Sequence, residues 1–179
     1  MLFSVSLVRQ LTQTYAYNQA AASPLSHLEP GTRFQPVIDD PIHSDIPSVR
    51  RIILHTGKLH YDLLKAREAH GAVDKVALIR IEELAPFPYE ALQAILEPYG
   101  SAGVDGPEVY WLQEEPRNQG AWTHVAPRIA SVLEKLEWDG AGSRIEYRGR
   151  KEDSVAATGI GEVYKREQAE VIESAFHGL

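Results

Sequence analysis

Lys58 follows Gly57 where a short apolar run gives way to a helical pattern. A lysine beside the free N–H groups of a helix start suits an anion. The glycine-rich run of a Walker loop is missing before it, so a plain strand-to-helix turn with Gly57 supplying the geometry is the reading the spacing favours. A second basic group, Arg148, Arg150 and Lys151 around Gly149, lies late in the chain. It is either a solvated run or, if the fold carries it to Lys58, the other half of an anion pocket. Three adjacent acid pairs, Asp39-Asp40, Glu82-Glu83 and Glu114-Glu115, could share a proton or hold a metal. Neighbours on an extended chain point to opposite sides, so solvated or salt-bridging acids are the expectation. The densest polar string, Gln113 to Trp122, could bind a ligand or another chain, and its Asn118 could instead cap the helix that follows. His55, His60, His70 and His124 do not make a metal spacing, because a strand-to-helix break separates the first two. No metal ligand, catalytic residue or cofactor-binding residue is assigned. With no cysteine, disulfides, thiolate-bound zinc and thiol nucleophiles are excluded.

The elements that must position these groups alternate. Arg51 to Thr56 reads as a buried strand and Lys58 to His70 as a helix with Leu59, Leu63, Leu64 and Arg67 on one face. Lys75 to Ile81 is a second strand, Pro86 and Pro88 make a turn, and Tyr89 to Leu96 is a second helix. Glu108 to Gln113 is a third strand, Glu114 to Gly120 a loop, and Trp122 to Leu136 a helix with Val125, Ile129, Val132 and Leu133 inward. Arg144 to Tyr147 is a short fourth strand, and Glu162 to Phe176 a last helix docked by Val163, Ala169, Ile172 and Phe176. This alternation predicts a three-layer α/β fold with a mostly parallel sheet, whose ligands gather at the carboxyl ends of the strands. Lys58, Arg148 and Arg150 converge there if the fourth strand runs parallel, and separate if it runs antiparallel.

Upstream, Pro30, Gly31, Pro36, Pro41 and Pro47 make residues 29–50 an extended arm, which Phe34, Val37 and Ile38 could pin down. Residues 1–28 contain no Asp or Glu and one arginine, Arg9, which has the flavour of a mitochondrial leader or of a poorly ordered start. Residues 51–179 then form the α/β domain. The net charge of -7 gives no basic footprint for nucleic acid, and no apolar run is long enough to span a membrane.

Several strings together resemble one family. Pro30 to Ile38 (PGTRFQPVI), Thr56 to Leu63 (TGKLHYDL), Arg80 to Pro88 (RIEELAPFP), Gln113 to Trp122 and Tyr147-Arg148-Gly149-Arg150 are similar, in that order, to the C-terminal domain of 2-oxoglutarate dehydrogenase first components. Ala157 to Val163 resembles the 2-oxoadipate dehydrogenase branch. The resemblance implies a transketolase C-terminal fold, a mitochondrial matrix location and a domain that packs on the catalytic domains and helps form a homodimer. It implies full-length relatives that use thiamine diphosphate and Mg²⁺, decarboxylate the 2-oxoacid and pass the acyl group to a lipoyl-bearing second component. Their Gly-Asp-Gly signature with downstream paired Asn is absent; Asp105-Gly106 lacks both flanks. The chain alone is therefore expected to bind no thiamine diphosphate and to be inactive, serving as a structural, dimerising and regulatory piece or as a stand-alone interaction module. Because some relatives carry a nucleotide or acyl-CoA effector on this domain, Lys58, Arg148 and Arg150 become the candidate effector site. Phe87 and Trp122 are the expected exposed patch of a domain cut from a larger assembly.

Overall fold

The computed structural model describes residues 22, 24–41, 46–101, 106–138, 143–155 and 158–179. Contacts divide the chain at Phe34, and the fold below is that of Gln35–Leu179. Before it, Leu25–Leu28 form one 3-10 turn, and the Thr32 hydroxyl lies 3.0 Å from the carbonyl of His27 and 2.8 Å from that of Glu29.

Four strands run parallel: β2 (Arg51–His55), β3 (Val76–Ile81), β4 (Glu108–Pro116) and β5 (Ile145–Arg150). A fifth, β1 (Val37–Ile38), lies antiparallel on β3, and the order across the sheet is β1-β3-β2-β4-β5. The helices are α1 (Leu59–Ala69), α2 (Tyr89–Leu96), α3 (Trp122–Leu136) and α4 (Gly161–Phe176). Side chains alternate across each strand, which builds two cores. Ile52, Leu54, Ala77, Ile79, Val109 and Trp111 pack with α2 and α3, while Ile53, Val76, Leu78 and Leu112 pack with α1 and α4. A sheet covered on both faces needs apolar residues on both sides of each central strand, so β2 and β3 read as unbroken apolar runs rather than alternating ones. The three-layer α/β, mostly parallel architecture is the one the strand–helix alternation predicts.

The structure corrects several details. β4 continues through Glu114 and Glu115 to Pro116, because β5 keeps pairing beyond Gln113 across a register shift and itself runs to Arg150. α4 docks through Val171, Ala175 and Phe176, whereas Ala169 is exposed and Val163 half-exposed. Only the second half of α4 lies over apolar side chains; its first half sends Tyr164 and Gln168 to polar partners. Val37 is buried in the arm as expected, but Phe34 is fully exposed.

Two buried arginines tie the outlying segments to the sheet. Arg67 of α1 pairs with Asp40, both nearly inaccessible, and donates to the carbonyl of Val76 at 3.0 Å. Asp40 also accepts the Leu78 amide at 2.9 Å. Leu78 stands where the β1–β3 register would place a next partner, so the carboxylate takes over as β1 ends. Arg51 donates to the carbonyls of Ala175 and His177 at 2.8 and 3.1 Å and pairs with Glu108. It thereby satisfies the last carbonyls of α4 and places a cation at the negative end of that helix.

Truncating one member of a buried ion pair leaves the other charge stranded, at a cost of about 3–5 kcal/mol. Asp40→Ala should therefore lower the urea midpoint strongly with an unchanged slope. A loss below about 1 kcal/mol would mean that water reaches the pair and replaces it.

Candidate functional site

The chain crosses from β2 to β3 on one side of it and then from β3 back past β2 to β4 on the other. The chain passes from β2 into α1 on one face and from β4 into α3 on the other. A crevice opens at such a switch point, outside the carboxyl ends of the two strands, and ligands of open α/β sheets bind there. The candidate Lys58 sits at it, and so does the Gln113–Trp122 string.

The crevice is closed by the chain's own side chains. Lys58 Nζ lies 2.8 Å from Glu114 Oε1, bridging the ends of β2 and β4. Gln168 of α4 donates to the same carboxylate oxygen at 2.6 Å. Partial burial works against the Lys58 ammonium, but the hydrogen bond and charge of Glu114 outweigh it and raise its pKa. Because β5 is parallel, Arg150 reaches this edge. Its Nη2 lies 3.5 Å from Gln168 Oε1, and its guanidinium lies over the Tyr164 ring at 5.0 Å. Its buried Nε has no hydrogen-bond partner; Glu167 stands 3.6 Å away, close enough for ion pairing and too far for a hydrogen bond. Arg150 also lines a cavity of about 310 Å³ with Pro116, Lys151, Asp153, Thr158 and Glu167. Arg148 goes elsewhere: it pairs with Glu146 at 3.0 Å, covers the Tyr110 ring at 4.1 Å and faces the His70, Glu173 and Phe176 end of α4. Lys58 and Arg150 thus share one network through Gln168, without Arg148, and each of the three cations faces a carboxylate.

The polar string is organised from within by Gln113, 2% exposed. Its Oε1 accepts from Trp111 Nε1 and from the Trp122 amide, both at 2.9 Å. Its Nε2 donates to the carbonyls of Gln119, Pro116 and Glu115 at 2.8, 3.1 and 3.2 Å. Gly120, at φ +64°, passes so close that a Cβ would meet the Gln113 amide nitrogen at 3.0 Å. Gln113, not Asn118, therefore supplies the oxygen at the start of α3. Asn118 instead binds the backbone of Asp153 on both sides, Nδ2 to the carbonyl at 2.9 Å and Oδ1 to the amide at 3.1 Å. The hub was legible as a polar residue on an apolar strand, but nothing in the spacing told which backbone groups it would meet.

Other expectations are corrected here. Asp40 is a buried structural acid rather than a solvated one, and Asp39 accepts from Tyr99 Oη at 3.0 Å. Glu82 and Glu83 are exposed, and Glu114 and Glu115 diverge as neighbours on a strand must. The strand-to-helix break does not separate His55 from His60; it folds them together at 3.0 Å. Among the described residues no group of three or more His, Asp or Glu could hold a metal ion. Asp105 lies outside the described residues. Phe87 is buried in the α2–α3 core and Trp122 is half-buried with its ring 5.2 Å from that of Tyr147, so neither makes the expected exposed patch. No described helix is long and apolar enough to cross a membrane.

Gln113→Ala would strand the buried Trp111 N–H and three loop carbonyls and leave a cavity, for a loss of about 2–4 kcal/mol in urea denaturation. Amide exchange over residues 116–122 should accelerate with it. Lys58→Ala removes a bond that is substantially solvated on the lysine side and should cost about 1 kcal/mol or less in the same assay. Equal losses in the two variants would contradict the hub role of Gln113.

Comparison with known proteins agrees with this architecture. Residues 22–176 match the family described as "2-oxoglutarate dehydrogenase C-terminal". The chain is 38% identical over 156 residues to the probable 2-oxoadipate dehydrogenase complex component E1 homolog of Caenorhabditis elegans, covering 87% of this chain and 16% of that protein. It is likewise 38% identical over 158 residues to the mitochondrial 2-oxoglutarate dehydrogenase of C. elegans, covering 87% of this chain and 14% of that one. The 2-oxoadipate dehydrogenase complex component E1 of Xenopus laevis is 40% identical over 153 residues, covering 85% and 15%. A solved structure described as a split gene transketolase, an inactive beta4 tetramer, superposes with a TM-score of 0.50 at 17% identity, covering 83% of this chain and 43% of that one, which is a likeness of fold. The chain spans less than a fifth of the curated relatives cited, and with its matched residues, its sheet and its motifs in order, it belongs to the 2-oxoglutarate dehydrogenase first-component family as a C-terminal domain of that family.

Proposed function

We propose that this chain is a non-catalytic scaffold: the C-terminal domain that supports, dimerises and tunes a thiamine-dependent 2-oxoacid dehydrogenase first component whose catalytic residues lie in domains it does not contain. The observation that carries this reading is the crevice at the switch point. Where open α/β sheets hold a ligand, this domain places Lys58, Glu114, Gln168 and Arg150 against one another. The assembled protein would decarboxylate 2-oxoglutarate or 2-oxoadipate and hand the acyl group to a lipoyl-bearing partner; the two C. elegans relatives, one of each name, are both 38% identical. A mitochondrial location fits the relative named for that compartment. The regulatory part of the proposal concerns Lys58 and Arg150, with Arg148 as a separate cation: a phosphate-bearing effector would have to displace Glu114 or Glu167 to engage them. The alternative, a stand-alone interaction module, draws support from the inactive tetramer that the transketolase neighbour is described as forming.

Calorimetry on the isolated chain is expected to give no micromolar binding of thiamine diphosphate with Mg²⁺, and no turnover of either 2-oxoacid should be detectable. Micromolar binding or detectable turnover would overturn the scaffold reading. Titration with AMP and with acetyl-CoA, on the wild type and on Lys58→Ala and Arg150→Ala, tests the effector site. Binding that survives both substitutions removes those residues from it, and no binding in the wild type removes the site from the isolated domain. Sedimentation separates scaffold from monomeric module, since a clean monomer at high concentration counts against dimerisation.

A further inference from the structure

His55 ends the central strand β2 and is wholly buried, and His60 opens α1 half-exposed. Their rings are 5.2 Å apart between centroids and 7° from coplanar, with His55 Nε2 3.0 Å from His60 Nδ1. That separation equals a bond of this length with a ring radius added at each end, so the imidazoles meet edge to edge in one plane rather than face on face. His55 Nδ1 stands 3.1 Å from the carbonyl of Ile53, which can only accept, so Nδ1 carries the hydrogen and Nε2 is the acceptor. His60 Nδ1 must then donate. Both neutral tautomers are fixed from the buried end outward.

We propose that this pair is a proton-sensitive latch: with both rings neutral it holds the turn from β2 into α1 closed, and on acidification it releases that turn together with Lys58. A first added proton goes to His60 Nε2 and leaves the Nδ1–H···Nε2 bond between the rings in place, so it is the charge that the site resists. A second proton leaves two N–H groups pointing at each other, and the contact fails. The surroundings oppose even the first. Arg80 of β3 and Arg67 of α1 both act against a cation here, and Asp40 of the arm, the one acid that favours it, is already committed to Arg67. Tyr61 meets the His60 ring edge-on at 5.4 Å, and Glu82 lies against Arg80 at 3.7 Å. His60 is also in the first turn of α1, where the helix dipole disfavours positive charge.

Burial first, then the charges of His60 and Arg80, lowers the His55 pKa to about 3; burial first, then Arg80, lowers that of His60 to about 4. Both lie below the ordinary value of 6.5, so the unfolded or opened form binds more protons. The latch is complete above that value and weakens as pH falls from it toward the two lowered ones. Opening is confined to the turn because no side chain caps the start of α1 and Gly57 is exposed at φ +68°, so it breaks the histidine pair and the Lys58–Glu114 contact and leaves the core in place.

The test is nitrogen-detected NMR of the histidine rings, with amide exchange, on the whole chain from about pH 7.5 down to about 4.5. At the upper end both His55 and His60 should show Nδ1–H tautomers. On acidification the opening constant from protection factors at residues 56–60 should rise about tenfold per pH unit for each proton taken up, while β3 amides stay protected. His60→Phe leaves His55 as the one titrating ring of the pair and should reduce that pH dependence to the slope of a single proton. An Nε2–H tautomer at His60, a pH-independent opening constant, or turn and core opening together would each overturn the proposal. The wild-type measurements decide it even if the variant fails to fold.

Discussion

A guanidinium and a carboxylate taken out of water set the frame of this domain. Arg67 and Asp40 are all but inaccessible, and each is useful only because the other is there. Through this pair three segments distant in sequence are held in one register: the arm, α1, and the edge of β3 at Val76 and Leu78. Asp40 completes a backbone ladder that β1 leaves after two residues, and Arg67 carries the bond into the helix above. With that edge fixed, the order β1-β3-β2-β4-β5 places the ends of β2 and β4 side by side, and the switch-point crevice follows.

What the crevice contains decides what the domain is suited to do. Backbone polar groups at strand ends must find partners, and in ligand-binding sheets a bound molecule supplies some of them. Here Gln113 satisfies the Trp122 amide and three loop carbonyls, and Gln168 reaches across from α4 to Glu114. The charges are matched in the same way, Lys58 with Glu114 and Arg150 with Glu167. A domain whose own side chains meet these demands is built to hold shape and present a surface, and this agrees with a scaffold in a larger first component.

The sheet and its helices were legible because burial on both faces writes itself as apolar runs such as Ile52-Ile53-Leu54, and because Gly57 and Gly71 mark the ends of elements. The family was legible in five motifs in order. The partners of polar residues were not. Arg67 fell on the apolar stripe of α1, a sign that it would be buried, but its acid lies 27 residues upstream in a segment without periodicity. The spacing groups Arg148 with Arg150, and both point toward α4. Only the length of that helix sends one to the crevice and the other to the far end. His55 and His60 were judged separate because a turn lies between them, yet a glycine at positive φ reverses the chain tightly enough to bring the rings together.

The arginine at the start of β2 has a consequence for synthesis. Arg51 belongs to the central strand, but two of its acceptors are the carbonyls of Ala175 and His177, at the end of α4. On a ribosome, the first strand of the parallel sheet emerges more than a hundred residues ahead of those partners, with Glu108 arriving midway. The nascent sheet therefore carries a cation whose burial is not complete until the last turn of α4 has left the exit tunnel.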